Sequence, residues 1–295
     1  MKFRQMGKVS DTTVTERTST KEREKTRDLL DFEEQLTDVE KRQISFVRKS
    51  FDPGPLDRAV RLAQRYVGSN WIEHCTRNIR HVHGLERLPT WDANKSYLVV
   101  SNHRSFFDLY AITGYLVNRD MPHRLVFPVR SKFFYDQPLG LVVNGLMSFF
   151  AMYPPVFRER SRAALNLASL DETVRLLRRG GTFVGLHPEG TRNQSDDPYA
   201  LLPAQSGVGR VIQAAKVCVL PVFVNGLGND LPKQVAGNFT RKGTPIIINF
   251  GAPVDFGDML DQPSSPRLHR RISEHALEEI RKLGDEEREI RRTLR

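Results

Sequence analysis

At 295 residues the chain has room for one large α/β domain with additions, or for two small domains, and length enough to bury a substantial core. Its 45 Lys and Arg against 35 Asp and Glu leave a formal charge of +10, which favours an anionic partner: nucleic acid, an acidic membrane surface or a phosphorylated small molecule. Two cysteines far apart, Cys75 and Cys218, exclude a disulfide framework and suit a reducing compartment, and the lack of any uninterrupted apolar run of about 18 residues excludes a simple transmembrane helix.

Residues 1–28 are rich in Thr, Lys, Arg and Glu, with no apolar core of a signal peptide, and are expected to be a disordered polar tail. Leu29, Phe32, Leu36 and Val39 then recur at helical spacing and predict a short amphipathic helix. After the breaker Asp52-Pro53-Gly54-Pro55, a second stripe runs through Leu56, Val60, Ala63, Val67, Trp71 and Cys75, flanked by Arg58, Arg61 and Arg65. Such a basic amphipathic helix either lies on an anionic membrane or packs on the rest of the chain, since both need one apolar face. Residues 29–77 are therefore taken as an N-terminal amphipathic helical region.

From Asn78 short apolar runs alternate with helical stripes, the pattern of an α/β fold. Strands are predicted at Ile79–Val82, Tyr97–Ser101, Arg124–Val129, Thr182–Leu186, Val217–Val224 and Pro245–Phe250. Helices are predicted at Ser105–Val117, within Leu139–Phe150, and at Arg162–Arg178, Val208–Ala215 and Arg267–Leu283. The most apolar stretch, Leu139 to Phe157, is broken by Asn144, Gly145 and Pro154-Pro155 and reads as buried or interfacial. Residues 78–262 are expected to form a single α/β domain with a mixed, mostly parallel central sheet flanked by helices. Residues 263–295 are expected to be a charged helix started by Ser265-Pro266, its tail beyond Gly284 a solvated end.

Two constellations stand just past predicted strands. Ser101-Asn102-His103-Arg104-Ser105-Phe106-Phe107-Asp108 puts a histidine five residues before an aspartate. One reading has Asp108 orient the imidazole and stabilise its charged form, so that His103 takes a proton from a substrate hydroxyl. The other has Ser105-x-x-Asp108 form a capping box at a helix start. No serine or cysteine nucleophile motif accompanies them, so the base would activate the acceptor itself. The second constellation, His187-Pro188-Glu189-Gly190-Thr191-Arg192, carries the tetrapeptide EGTR, whose chance occurrence is well under about 1 % in a chain this long. Glu189 and Arg192 across the Gly190 turn can bind a polyol or phosphate, or form a local ion pair that ties down a loop.

The pair NHRSFFD and HPEGTR resembles the glycerolipid and lysophospholipid acyltransferases, the group of the 1-acylglycerol-3-phosphate acyltransferases, which share an NH-x4-D block and an EGTR block at about this separation. Val82-His83-Gly84-Leu85-Glu86-Arg87-Leu88-Pro89, the stretch Tyr153 to Arg158, and Val219-Leu220-Pro221-Val222 extend the likeness over about residues 78–255. The resemblance implies acyl transfer from an acyl-CoA or acyl-carrier-protein thioester to a lysophospholipid or glycerol-phosphate hydroxyl, best matched to 1-acyl-sn-glycerol-3-phosphate, without an acyl-enzyme. It implies His103 as the base and Asp108 as its partner. It also implies Glu189, Arg192 and Arg158 as acceptor-binding residues, with Arg160 and Arg162 competing for the last role, and Gly190 and Thr191 as shapers of the turn.

The chain departs from the family at His187, where an aromatic residue is common, which reads as packing or polar support. It departs again at Gly207-Val208-Gly209-Arg210, where Arg210 offers a charge from a different place, as in lysophospholipid transacylases. No cofactor and no metal are expected: His74, Cys75, His81 and His83 match no zinc spacing. The expected partners are a lysophospholipid, an acyl thioester and an anionic membrane surface, with the protein peripheral or monotopic at the cytoplasmic face. A rival function is a nucleic-acid module, motivated by Arg124, Arg130 and Lys132 beside Phe133, Phe134 and Tyr135; a third is a thioesterase using the same His–Asp pair on water.

Overall fold

The computed structural model describes residues 28–294, so the tail expected over residues 1–28 lies, Asp28 apart, outside the described residues. In chain order the described residues form α1 (Asp38–Lys49), α2 (Pro55–Ala63), α3 (Ser69–Thr76), β1 (Arg80–His83), β2 (Tyr97–Ser101), α4 (Asp108–Val117), β3 (Arg124–Arg130), α5 (Ser131–Phe134), α6 (Gly140–Ser148) and β4 (Met152–Val156). There follow α7 (Ala163–Arg179), β5 (Thr182–Leu186), α8 (Ser206–Ala215), β6 (Cys218–Asn225), α9 (Leu231–Thr240), β7 (Ile246–Phe250) and α10 (Pro266–Thr293). The strands make one sheet in the order β1-β7-β6-β2-β5-β3-β4, in which only the β6–β7 pair is antiparallel. This is the mixed, mostly parallel sheet with flanking helices that the alternation of patterns predicted. β2, β5 and β7 are buried along their whole length, because helices cover both faces and such strands must be apolar throughout. Gly185 in β5 is where α4 presses closest: a Cβ there would stand 2.7 Å from Leu109.

Two expectations need correction. The helix predicted over Leu29–Val39 is two short 3-10 turns, and the α-helix starts at Asp38. A capping box sets that start: Thr37 Oγ1 accepts the Glu40 N–H, and Glu40 accepts the Thr37 N–H at 2.8 Å. β4 had not been predicted, since Pro154 and Pro155 argue against a central strand; it lies at the sheet edge beside β3, where missing N–H donors cost little. The tail beyond Gly284 continues α10 to Thr293 and is largely exposed, as expected of a solvated helix end, but Glu287 is fully buried against Arg291, which also donates to the Pro245 carbonyl. Of the basic–aromatic cluster, Arg124, Phe134 and Tyr135 are buried, Arg130 is part-buried and Lys132 is exposed.

The helical stripe from Leu56 to Cys75 splits between its two readings. Val60 and Cys75 are buried, whereas Val67 and Trp71 are more than half exposed. What ties this region to the sheet is a buried ion pair. Arg124 on β3, fully buried, donates to Asp57 Oδ1 on α2 at 2.8 Å, to Ser50 Oγ at 2.7 Å and to the Ser50 carbonyl, and lies over the Phe51 ring. Removing one partner of such a pair strands a buried charge, which typically costs about 3–5 kcal/mol. Asp57→Ala should therefore lower the unfolding free energy measured in urea by that order, while Asp57→Ala with Arg124→Met should recover much of the loss.

Candidate active site

β2 and β5 are neighbours in parallel, with Val100 opposite Leu186, so the two constellations leave the sheet side by side at its carboxyl edge, where ligands of α/β folds sit. His103 Nδ1 lies 3.2 Å from Asp108 Oδ2, and the same oxygen accepts the N–H groups of Arg104 at 2.7 Å and Ser105 at 2.8 Å. Asp108 thus reaches the imidazole and reaches back to the Ser105 amide, but the capping box is not closed, since Ser105 Oγ accepts from the Phe107 N–H and Phe107 is the N-cap. The carboxylate ties down the turn before α4 and meets the imidazole, although the helix itself begins at Asp108 rather than Ser105. With Nδ1–H facing a carboxylate, Nε2 is the nitrogen left to accept a proton.

The second constellation grips the first. Glu189 is buried, and its two oxygens accept the His103 N–H and the Leu202 N–H, each at 2.7 Å. Asn193 N–H donates to the His103 carbonyl at 2.8 Å. The His187 ring stacks on the His103 ring with centroids 3.9 Å apart, and its Nδ1–H donates to the Ser101 carbonyl at 3.0 Å. Gly190 turns the chain at φ +66°, and a Cβ there would meet Gln205 at 2.9 Å. Beyond it Thr191 and Arg192 are exposed, and Arg192 donates to Asn229 Oδ1 at 2.8 Å. The Glu189 carboxylate is thus engaged by backbone amides rather than by Arg192.

Of the three competing arginines, Arg162 pairs with Glu40 at 2.7 Å and covers the Phe157 ring, while Arg158 is exposed and close enough to act on His103. Arg210 pairs with Asp171 on α7 and lines a different cavity. Burial, then the charges of Arg192 and Arg158, pushes the His103 imidazole down to about 4. Burial pushes Asp108 up to about 6 against the pull of His187 and of the Ser105 and Arg104 amides. Between neutral pH and about 6 the pair is therefore a neutral imidazole on an ionised carboxylate, the state a general base needs.

The first constellation also lines two cavities. One, of about 480 Å³, is apolar and walled by Phe106, Phe107, Tyr110, Phe127, Trp71 and Leu146. The other, of about 920 Å³, is polar and includes Arg104, Arg192, Asn229, Lys233 and Lys242. Two asparagines of this edge make bonds that the sequence does not announce. Asn102, fully buried, exchanges two hydrogen bonds of 2.8 Å with Val224 of β6, and Asn229 accepts the Phe106 N–H at 3.2 Å. Nothing in an isolated asparagine announces such a bridge.

His103, Asp108 and His187 bring potential metal ligands within 4.8 Å of one another. The two rings, however, lie 6° from parallel, so their in-plane lone pairs run side by side and do not converge, and both Nδ1 atoms face protein acceptors. This trio is poorly shaped for an ion.

Residues 79–225 match the family model described as Acyltransferase. The chain is 32 % identical over 133 residues to a 1-acyl-sn-glycerol-3-phosphate acyltransferase beta of Homo sapiens, covering 45 % of this chain and 42 % of that one. It is 24 % identical over 188 residues to the 1-acyl-sn-glycerol-3-phosphate acyltransferase of Bacillus subtilis, covering 63 % and 79 %. The chain thus spans less than half the length of the human relative. Among solved structures, the 1-acyl-sn-glycerophosphate acyltransferase PlsC of Thermotoga maritima superposes with a TM-score of 0.50 at 21 % identity, over 82 % of this chain and 88 % of that one, a likeness of fold.

The grip of Glu189 on two amides can be checked by stability alone. Glu189→Gln turns one acceptor into a donor that faces a buried N–H, and should cost about 1–3 kcal/mol in urea unfolding. Arg192→Ala, at an exposed position, should stay within about 0.5 kcal/mol of the parent.

Proposed function

The chain belongs to the acyltransferase family, and on that premise we propose that it moves a fatty acyl group from a thioester to the free hydroxyl of a glycerolipid acceptor, with 1-acyl-sn-glycerol-3-phosphate as the first candidate. The observation that carries this reading is the neutral His103 held on Asp108 where an apolar and a polar cavity share one wall-forming block. In the proposed reaction His103 Nε2 takes the hydroxyl proton while the acceptor oxygen attacks the thioester carbonyl. The tetrahedral adduct then expels the thiolate, which recovers that proton from the imidazolium, giving ester and free thiol. Asp108 balances the imidazolium during the step. No acyl-enzyme and no cofactor are required.

Arg192 and Arg158 are the guanidinium groups suited to the acceptor's phosphate, because they stay charged and bind it in bidentate fashion. Gly190 and Thr191 shape the turn that presents Arg192, and Glu189 acts on this site by holding the His103 backbone. The acyl chain fits the apolar cavity of about 480 Å³. Several of that cavity's walls, Val67, Trp71, Leu146 and Met147, are also more than half exposed, so the cavity mouth and an apolar surface patch coincide. No helix among the described residues is long and apolar enough to cross a membrane. An exposed patch of this kind, continued by Leu62 and Tyr66 on the basic stripe, supports a protein seated on the cytoplasmic leaflet that takes lipid substrates from it. Acyl-CoA and acyl-carrier protein both remain donors to offer it.

The test is to incubate the full chain with labelled acyl-CoA, or acyl-carrier protein, and a panel of lysophospholipids and glycerol phosphate. Acyl transfer to a phosphate-bearing acceptor is expected, whereas thiol release without any acceptor would make it a thioesterase. His103→Ala should lower kcat by roughly 10²–10⁴-fold. Arg192→Ala should raise the acceptor KM by about tenfold or more. Because the base is already neutral above about 4, activity should be level above pH 7 and fall as Asp108 takes up its proton near about 6.

A further inference from the structure

The His103 ring is held at its edge, by the 3.2 Å approach of Nδ1 to Asp108 and by the backbone at Ser105. The 3.2 Å contact is long for a hydrogen bond to a carboxylate, and edge contacts leave the face of the ring unsupported. Support for that face comes from the position where this chain departs from its family. His187 lies face to face with His103, centroids 3.9 Å apart and planes 6° from parallel. Its own rotation is set by the Nδ1–H bond to the Ser101 carbonyl at 3.0 Å, with Ser101 Oγ at 3.2 Å. Ser101 is the last residue of β2 and is fully buried, so this tether is fixed in the sheet itself. A phenyl ring at 187 would offer the same flat face without the tether, and an aliphatic residue would offer neither.

The platform is also uncharged. Burial, then the neighbouring His103, pushes the His187 imidazole down to about 4, so at working pH it presents a neutral ring to a group that must become positive. The charged groups around the two rings are Asp108, Arg192, Arg158, Arg104 and Glu189. Of these, Asp108 meets the edge of the His103 ring and Glu189 its backbone N–H, and neither supplies the stack.

We propose that His187 is a positioning residue for acyl transfer: pinned to the Ser101 carbonyl, it is the flat wall that keeps the His103 ring in the plane where Nδ1 meets Asp108 and Nε2 meets the acceptor hydroxyl. The kinetic part of this proposal rests on the acyl-transfer reading; the conformational part does not. Misplacing a base by about an ångström costs on the order of a hundredfold in rate. His187→Ala should therefore lower kcat by about that factor, with the KM values of donor and acceptor changed less than about twofold. His187→Phe, which restores the face but not the tether, should recover to within about tenfold of the parent. In the full chain labelled with ¹⁵N-histidine, His103 should be a single Nδ1–H tautomer in the parent and in His187→Phe, and a mixture of tautomers in His187→Ala. Should the alanine variant not fold, His187→Leu takes its place in the same comparison.

Three results would overturn the proposal: an unchanged kcat and tautomer in the alanine variant, a loss expressed in KM alone, or a phenylalanine variant as slow as the alanine one. The last would mean that a flat face at this position is not what holds the His103 ring. If the parent transfers no acyl group at all, the acyl-transfer reading fails, and the tautomer measurement alone decides whether His187 holds the ring.

Discussion

The site depends on the parallel pairing of β2 with β5. With Val100 opposite Leu186, the residues that follow each strand emerge as neighbours, although 86 positions separate Ser101 from His187. Every restraint on His103 from the second constellation descends from this register: Glu189 on its amide, Asn193 on its carbonyl and His187 on its ring. A slip of one residue would turn each of these side chains to the opposite face of the sheet. Burial of both strands on both faces makes such a slip prohibitive, so the core secures the geometry of the base.

Within that frame burial decides the electrostatics. Asp108 is almost fully buried, yet its carboxylate is met by two backbone amides and an imidazole, so its charge is disfavoured without being lost at neutral pH. Arg192 and Arg158 act in the same direction as burial on His103, holding the ring neutral. The overall charge of +10 explains less than it first suggests. Arg48 is committed to Glu172 and Asp28, Arg162 to Glu40, Arg210 to Asp171 and Arg291 to Glu287. These arginines are internal mortar, each offset by an acid and so no part of the excess, and in the proposed reaction the cations placed to meet an anionic substrate are the few on the carboxyl edge of the sheet.

The parts of this arrangement that were legible in the sequence are those encoded locally. β2 and β5 were predicted to the residue because each is an apolar run bounded by polar or glycine residues, and Gly180-Gly181 marks the turn into β5. The two chemical blocks were legible because their residues stand close together in the chain. What could not be read are roles set by partners far off in sequence. Glu189 looks like a free carboxylate until the His103 amide appears beside it. Arg124 looks like surface charge until Asp57 and Ser50 close over it. β4 fails the local test of a strand because its prolines are judged without knowing that it lies at an edge. His187 is the sharpest case, since the ring it stacks on and the carbonyl it donates to both lie 84 or more positions away.

The same logic bears on why such a site should pass an acyl group to a lipid rather than to water. A base that has to tell a lipid hydroxyl from water must see the first and be screened from the second. The His103 side chain is only 22 % exposed, one face is covered by His187, and its block continues into Phe106 and Phe107 on the wall of the apolar cavity. An acceptor whose phosphate lies on Arg192 and whose tail follows the apolar wall would occupy the remaining approach, displacing solvent as it binds. On this view the guanidinium groups and the apolar cavity serve discrimination as much as affinity. In the proposed reaction the hydroxyl that reaches Nε2 would be the one carried there by a molecule with a charge at one end and a chain at the other.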